Sequence, residues 1–184
     1  MYSRNEAIAE RNYSYAFSKH LPDLRNQNWK WSSDFLIGKQ LSGSKLGILG
    51  IGRIGRAVAK RAKAFGMEIH YHNRSRLNHS LENGAIYHDS IKSLFSITDV
   101  LSINCPATND TKKIINKKTL EFFPEGAVIT NSARGDMIDD DAMVQSLKNK
   151  KIFALGLDVY NGEHDIHHGY LEPVSYTHLR AHET

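Results

Sequence analysis

Three glycines, Gly50, Gly52 and Gly55, have the G-x-G-x-x-G spacing of a turn that binds the pyrophosphate of a dinucleotide. The apolar run LGIL before them predicts a buried strand, and the segment AVAKRAKAF after them predicts a helix that ends at Gly66. Gly50 would permit the tight turn, Gly52 would let a phosphate approach the backbone, and Gly55 would let helix and strand pack closely. Free N–H groups at the helix start would attract the phosphate charge. The alternative is a glycine-rich turn that binds nothing.

The residues after a second predicted strand, EIHYH, indicate which dinucleotide this is. NAD sites usually place a carboxylate there, about 20 residues on, to bond the ribose 2′-OH. This chain instead has Asn73, eighteen positions after Gly55, followed by Arg74, Ser75 and Arg76. No carboxylate would repel a 2′-phosphate, and two guanidinium groups could pair with it. The pattern favours NADP(H) over NAD(H), unless the two arginines merely form a solvated loop.

Polar clusters also follow three later apolar strands, at Asn104–Thr108, Asn131–Gly135 and Asp158–Glu163. Arg134 stands next to a glycine and suits a two-bond grip on a carboxylate, although a surface ion pair would explain it as well. Asp158 is expected to be a hydrogen-bond acceptor in a site or a cap. Glu163 could be a general acid–base partner or a solvated loop charge, and its position does not decide between them.

Two further features, Cys105 and a histidine-rich segment, could suggest a nucleophile and a metal site, but we expect neither. Cys105 lacks a His–Asn or His–Asp arrangement to activate it, so we expect a small apolar contact and no nucleophile. The segment EHDIHH from Glu163 to His168 resembles a metal site, but we expect it to lie in a loop without regularly placed helical ligands and to hold no metal. The run Asp139–Asp141 is expected to cap the helix that follows it.

The elements that must position these residues alternate between strands and helices from Lys45 onward. We expect strands at Leu46–Leu49, Ile69–Tyr71, Val100–Ile103, Ala127–Thr130 and Phe153–Leu157, and helices at Ser90–Ser96, Lys118–Phe123 and Asp140–Lys148. This alternation predicts an α/β fold, a Rossmann-type doubly wound parallel sheet whose strand ends meet along one edge. Before it, Asn5 to His20 has a helical pattern, and Trp29 and Trp31 are expected to cover part of the core.

Composition excludes several other classes. Of the 184 residues, 40% are hydrophobic and 24% charged, which is ordinary for a globular protein with a full core. The net charge of +4 comes largely from scattered lysines without interleaved aromatics, so nucleic acid is not an expected partner. The sequence has no long apolar run, so we expect no membrane span. The single Cys105 fits a reducing cytoplasm.

Four motifs in order, GIGRIG, DVLSINCPAT, NSARGDMIDDDA and GLDVYNGE, resemble those of the D-isomer-specific 2-hydroxyacid dehydrogenases. Within that family the chain is most similar to the glyoxylate/hydroxypyruvate reductase branch, where HYHNRSR is an NADPH-type segment. The resemblance covers about Glu6 to Glu172. It implies a cytoplasmic, homodimeric enzyme that uses NAD(P)H to reduce a small 2-oxo acid to the D-2-hydroxy acid.

The resemblance also implies a set of contacts with the cofactor. Arg53 and Ile54 would touch the pyrophosphate, and Asn73, Arg74 and Ser75 would hold the adenosine ribose and its 2′-phosphate. The remaining cofactor contacts would come from Cys105, Pro106, Thr111, Ser132, Ala133 and Asp158, the last as acceptor for the nicotinamide carboxamide.

The catalytic roles implied by the resemblance fall on two residues. Arg134 would bind the carboxylate of the 2-oxo acid and polarise its carbonyl, and Glu163 would hydrogen-bond a catalytic histidine. The family's Pro-His-x-Gly-Ser segment, which carries that histidine, and its N-terminal substrate-binding half are absent from this sequence. We therefore expect this chain, a fragment, to bind nucleotide without turnover. The sequence does not choose between glyoxylate, hydroxypyruvate and a keto-sugar acid.

Other functions stay open on the sequence alone. Phosphoglycerate dehydrogenase and D-lactate-type enzymes are alternatives within the family, although they usually carry an acidic residue where Asn73 stands. A dinucleotide-sensing module like the transcriptional corepressors that resemble this family is an alternative of a different class. It would predict peptide-binding surfaces, and nothing in the sequence supplies them.

The expected organisation has three parts. Residues 1–44 would form a leading helix and connecting segment of the cofactor domain, and residues 45–172 the NAD(P)-binding Rossmann domain. Residues 173–184, PVSYTHLRAHET, lack apolar periodicity and are expected to contain no strand. They can be back-translated to DNA that resembles a transposase adapter from sequencing libraries. We expect this tail to be translated adapter, so that His178 and His182 are not the catalytic histidine.

Overall fold

The computed structural model describes residues 39–162, 166–170 and 177–179. The chain divides into two compact units, Met1–Lys39 and Gln40–Thr184, and the description concerns the second. The helix expected at Asn5 to His20 and the two tryptophans lie outside the described residues. So does Glu163.

A parallel sheet is the centre of the fold, and the described residues contribute seven strands to it. The strands are β1 Lys45–Leu49, β2 Glu68–His72, β3 Ile86–His88, β4 Val100–Ile103, β5 Ala127–Asn131, β6 Ile152–Leu157 and β7 Thr177–Leu179. Their order across the sheet is β3-β2-β1-β4-β5-β6-β7, and every neighbouring pair is parallel. The order reverses between β1 and β4, which is the switch point of a doubly wound sheet. This confirms the predicted fold class.

The apolar strand residues are divided between the two faces of the sheet. On β1, Leu46 and Ile48 join a core cluster with Ile69 and Tyr71, whereas Leu49 joins a larger cluster on the other face. Because side chains alternate along a strand, a strand covered on both faces must be apolar at nearly every position. That is the reason why these runs were recognisable in the sequence.

Helices cover the sheet: α1 Arg53–Ala64, α2 His79–Glu82, α3 Ile91–Phe95, α4 Lys117–Leu120 and α5 Asp140–Lys148. Helix α1 is followed by Gly66, whose φ of 76° is the left-handed conformation that ends many helices. Asp139 caps α5 by accepting a hydrogen bond from the Ala142 N–H at 3.2 Å, as predicted. Within the part of the chain that the structure describes, no helix is long and apolar enough to cross a membrane.

Five short elements were not predicted: α2, β3, β7 and two 3-10 helices at Gly135–Met137 and His168–Tyr170. The expectation that the tail contains no strand is wrong, because Thr177–Leu179 pairs in parallel with Leu155–Leu157 of β6. Strands of three residues are too short for a period of two to show in the sequence. They form here because a neighbouring strand already offers a row of backbone partners. The adapter origin of residues 173–184 stays a prediction.

Candidate functional site

The carboxyl ends of five strands form one continuous row. The register pairs His72 with Leu49, Leu49 with Ile103, Ile103 with Asn131, and Asn131 with Leu157. Each predicted cluster begins directly after one of these residues, or at Asn131 itself, so the fold brings the glycine-rich turn and the starts of all later polar clusters to one edge. In open α/β sheets, ligands bind at this edge, next to the switch point.

The glycine-rich turn has the geometry expected of its first and third glycines. Gly50 has a φ of 93°, and a Cβ there would lie 2.6 Å from the backbone nitrogen of Cys105. A Cβ on Gly55 would lie 2.5 Å from the Gly50 carbonyl oxygen. Any larger side chain would therefore separate β1 from the start of α1 or from the loop after β4.

Gly52, in contrast, faces open space. A Cβ at this position would meet nothing within 4 Å, and an open groove of about 530 Å³ is lined by Gly52, Arg53, Ile54, Ala57 and Asn104. Helix α1 starts here, and its first turn contains no acidic residue. The unpaired N–H groups and the positive end of the helix dipole therefore face a groove with room for an anion.

Asn73 supports the glycine-rich turn, a role that its place in the sequence did not suggest. Its Oδ1 accepts a hydrogen bond from the Ile51 N–H at 3.1 Å, across 22 residues of sequence. With the oxygen engaged, the amide NH₂ is the group left to donate to a ligand. Arg74 and Ser75 follow as exposed residues beside the turn.

Arg76 is paired within the protein, whereas the sequence suggested that both guanidinium groups of this loop could pair with a 2′-phosphate. Its Nε donates to Glu82 Oε1 at 2.8 Å, and its Nη2 donates to Glu82 Oε2 at 3.2 Å. This two-bond pair occupies the guanidinium fork. The sequence placed no weight on Glu82, which is only 5% exposed despite its charge.

The loop after β4 contains three of the predicted cofactor residues. Cys105 is half-buried against the core, and burial raises the pKa of its thiol, so the reactive thiolate is disfavoured. Thr111 Oγ1 donates to the Pro106 carbonyl at 2.9 Å and accepts from the Thr108 N–H at 2.7 Å. These bonds fold the loop back on itself beside the Gly50 turn.

The loop after β5 presents Ser132, Ala133 and Arg134, and the buried Asn131 shapes it. Asn131 Oδ1 accepts from the Ala133 N–H at 3.0 Å, and its Nδ2 donates to the Arg134 carbonyl at 2.8 Å. The Arg134 side chain is exposed, with Nη1 donating to the Ala133 carbonyl at 2.7 Å. Asn131 thus holds both ends of the turn that carries the predicted catalytic arginine.

Close backbone contact joins this loop to the one after β6. A Cβ on Gly135 would overlap the carbonyl group of Tyr160, so only glycine fits between the two segments. The Asp158 N–H donates to the Asn131 carbonyl at 3.0 Å, which places the half-buried Asp158 beside the β5 loop. The role of Glu163, a few residues further on, stays a prediction.

Part of the EHDIHH segment is described, and it contacts helix α5. His167 Nε2 lies 3.1 Å from Asp141 Oδ1, and its Nδ1 accepts from the Gly169 N–H. Among the described residues, no group of three His, Cys, Asp or Glu side chains could hold a metal ion.

Comparisons with known proteins identify the family. The family model for the D-isomer specific 2-hydroxyacid dehydrogenase, NAD binding domain, matches residues 13–182. The chain belongs to this family, and the domain is one that binds a nicotinamide dinucleotide. The match extends beyond Glu172, where the resemblance was expected to stop.

Several relatives have named activities or structures. The chain is similar to glycerate dehydrogenase of Hyphomicrobium methylovorum, with 39% identity over 81% of the chain and 47% of the relative. It is 45% identical to 4-methyl-2-oxopentanoate reductase A of Aspergillus oryzae, over 76% of the chain and 42% of the relative. The structure of a glyoxylate reductase from Paecilomyes thermophila matches with a TM-score of 0.76 and 38% identity, over 94% of this chain and 53% of that one. The chain thus spans about half the length of these relatives.

Proposed function

We propose that this chain is the cofactor domain of an NADPH-dependent 2-hydroxyacid dehydrogenase that reduces a small 2-oxo acid. The observation that carries the proposal is the row of strand ends, which brings the glycine-rich turn and Arg134 to the same edge of the sheet. A dinucleotide that starts at Arg74 and crosses the N-terminus of α1 would have its far end near the loops after β5 and β6.

The residues present fit such a cofactor. The open space at Gly52 is where a pyrophosphate would approach, next to Arg53 and Ile54, and Cys105, Pro106 and Thr111 would line its path. Ser132, Ala133 and Asp158 would face the nicotinamide, which supplies the hydride when bound. Two groups would act on the substrate: Arg134 would grip the carboxylate and polarise the carbonyl, and Glu163 would orient the proton-donating histidine.

The preference for NADPH rests on the loop after β2. This loop offers the Arg74 guanidinium, the Ser75 hydroxyl and the Asn73 NH₂ group, all of which can donate to a 2′-phosphate. The test is titration of NADPH and NADH onto the 184-residue chain. Arg74→Ala should weaken NADPH binding by about 1–3 kcal/mol and leave NADH binding nearly unchanged. Arg61→Ala, which removes an exposed cation from the far end of α1, is the matched control. Tighter binding of NADH by the unchanged chain would contradict the preference.

For the substrate, we propose glyoxylate or hydroxypyruvate. The names of the relatives support the wider class of 2-oxo and 2-hydroxy acids, since they include a glyoxylate reductase and a glycerate dehydrogenase. The test is NADPH-dependent reduction of both acids by the product of the complete reading frame that contains this chain. Arg134→Ala should lower kcat/KM by about 10- to 100-fold, and Arg134→Lys should recover only part of the loss.

The proposal includes a homodimeric, cytoplasmic parent enzyme. The family resemblance supports the dimer, and the single Cys105, which has no second cysteine to form an internal disulfide, is in keeping with a reducing compartment. A monomeric mass in solution would count against the dimer.

A further inference from the structure

A buried carboxylate, Glu82, lies behind the loop that carries Arg74. Glu82 ends the short helix α2 and is 5% exposed, and Tyr71 of β2, beside it, is fully buried. A charged side chain is rarely buried unless it is paired, so its partners indicate what it does.

Three hydrogen bonds connect Glu82 to β2 and to the loop. The Tyr71 hydroxyl donates to Glu82 Oε1 at 2.6 Å, and the Arg76 guanidinium donates to both carboxylate oxygens. The same hydroxyl accepts a hydrogen bond from the Leu77 N–H at 3.1 Å. Arg76 also lies over the Tyr87 ring, 5.7 Å from its centroid. Strand β2, helix α2 and the far end of the loop are thereby joined at one carboxylate.

The near end of the loop is fixed independently, by the bond from the Ile51 N–H to Asn73 Oδ1. Only Arg74 and Ser75 lie between the two attachments, and both are exposed. A short segment fixed at both ends has few conformations, so its exposed groups lose little entropy when they bind.

The two arginines of this loop differ in whether a carboxylate of the protein balances their charge. Arg76 lowers the pKa of Glu82 to about 2, with Tyr71 and His79 as further hydrogen-bond partners, so the carboxylate is ionised at neutral pH. The Arg76 charge is thus balanced within the protein. Both arginines are exposed, but the hydrogen bonds to that carboxylate come from Arg76 and not from Arg74.

We infer that Glu82 is a positioning residue for cofactor specificity: through Arg76 and Tyr71 it holds the loop in the shape that presents Arg74 to the 2′-phosphate. Arg76 supports the loop and does not itself bind the phosphate. This inference rests on the proposed preference for NADPH.

The test is a double-mutant cycle on the 184-residue chain, with dissociation constants for NADPH and NADH measured for each variant. Glu82→Gln and Arg76→Ala should each weaken NADPH binding by about 3- to 10-fold and change NADH binding by less than about twofold. Because both remove the same support, the double variant should lose no more than either single one. Arg74→Ala should cost less in the Glu82→Gln background than in the unchanged chain.

Tyr71→Phe is the second variant, because it keeps the buried ring and removes only the hydroxyl between Glu82 and the Leu77 N–H. It should lower the NADPH-to-NADH selectivity in the same direction, and a thermal melt of each variant shows that it is folded. If Glu82→Gln is unfolded, Tyr71→Phe and Arg76→Ala carry the test.

Two outcomes would overturn the inference and are distinguishable. If the unchanged chain prefers NADPH and Arg74→Ala removes the preference, but the Glu82, Tyr71 and Arg76 variants leave it intact, Glu82 has no positioning role. The second outcome is that Arg76→Ala lowers NADPH affinity by the same factor in the Glu82→Gln background as in the unchanged chain. Arg76 would then bind the phosphate directly. If the unchanged chain shows no preference for NADPH, the proposed cofactor preference itself fails.

Discussion

The two ends of the candidate site are built in different ways. The β1–α1 turn is shaped by its backbone: a positive φ at Gly50, close packing at Gly55 and open space at Gly52. The loops after β5 and β6 instead present candidate side chains, on turns that the buried Asn131 and the tight contact at Gly135 hold in place. A backbone site needs particular glycines, which a sequence shows directly, whereas a side-chain site needs supports that are visible only in the fold.

The largest effect is expected at Gly135. Gly135→Ala would force a methyl group into the Tyr160 carbonyl, so the two loops would have to separate. We expect the free energy of unfolding, measured by urea denaturation, to fall by about 3 kcal/mol, the upper end of the usual cost of overpacking, because the overlap is with backbone atoms. An unchanged midpoint would show that the contact between the two loops is easily relaxed.

The second largest effect on stability is expected for Asn131→Ala. Asn131→Ala removes both hydrogen bonds that shape the Arg134 turn and leaves the Ala133 N–H and the Arg134 carbonyl without that partner. We expect a loss of about 1–3 kcal/mol in unfolding free energy, at the lower end if water replaces the side chain. Asn149→Ala, at an exposed position after α5, is the matched control and should stay within about 0.5 kcal/mol.

Gly52→Ala tests the other end of the site. A Cβ there meets no protein atom within 4 Å, so unfolding should change by no more than about 1 kcal/mol. The methyl group would occupy the space proposed for the pyrophosphate, so NADPH affinity should fall by about tenfold, or 1.4 kcal/mol. Calorimetric titration measures it. If Gly52→Ala bound NADPH with unchanged affinity, the proposal that the pyrophosphate lies against Gly52 would be wrong.

The smallest effect concerns pH. Because the folded-state pKa of Glu82 is about 2, below its ordinary value of about 4.3, the unfolded chain binds this proton first as the pH falls. Glu82 therefore contributes stability above pH 4.3 that is lost progressively toward pH 2. Thermal melts across that window should show a shallower decline for Glu82→Gln than for the unchanged chain. If the melting temperatures of the two proteins declined in parallel, the ion pair between Glu82 and Arg76 would not be present in solution.

The sequence by itself determined most of the framework. Long apolar runs predicted β1, β2, β4, β5 and β6, and the spacing of Gly50, Gly52 and Gly55 predicted the turn before α1, because these signals arise from neighbouring residues. Helix α5 was predicted with its bounds and its cap at Asp139. The parallel direction of the strands followed from the alternation of strands and helices, whereas their order across the sheet did not.

Tertiary structure alone decided the supports of the site. The bond from Ile51 to Asn73 spans 22 residues, and the overlap at Gly135 involves a loop that starts after another strand. Arg76 and Glu82 are six residues apart, but their pairing depends on Tyr71 and on how α2 packs below the loop. Such contacts are set by which strands become neighbours and by the direction of each side chain, and no local pattern of residue types contains that information.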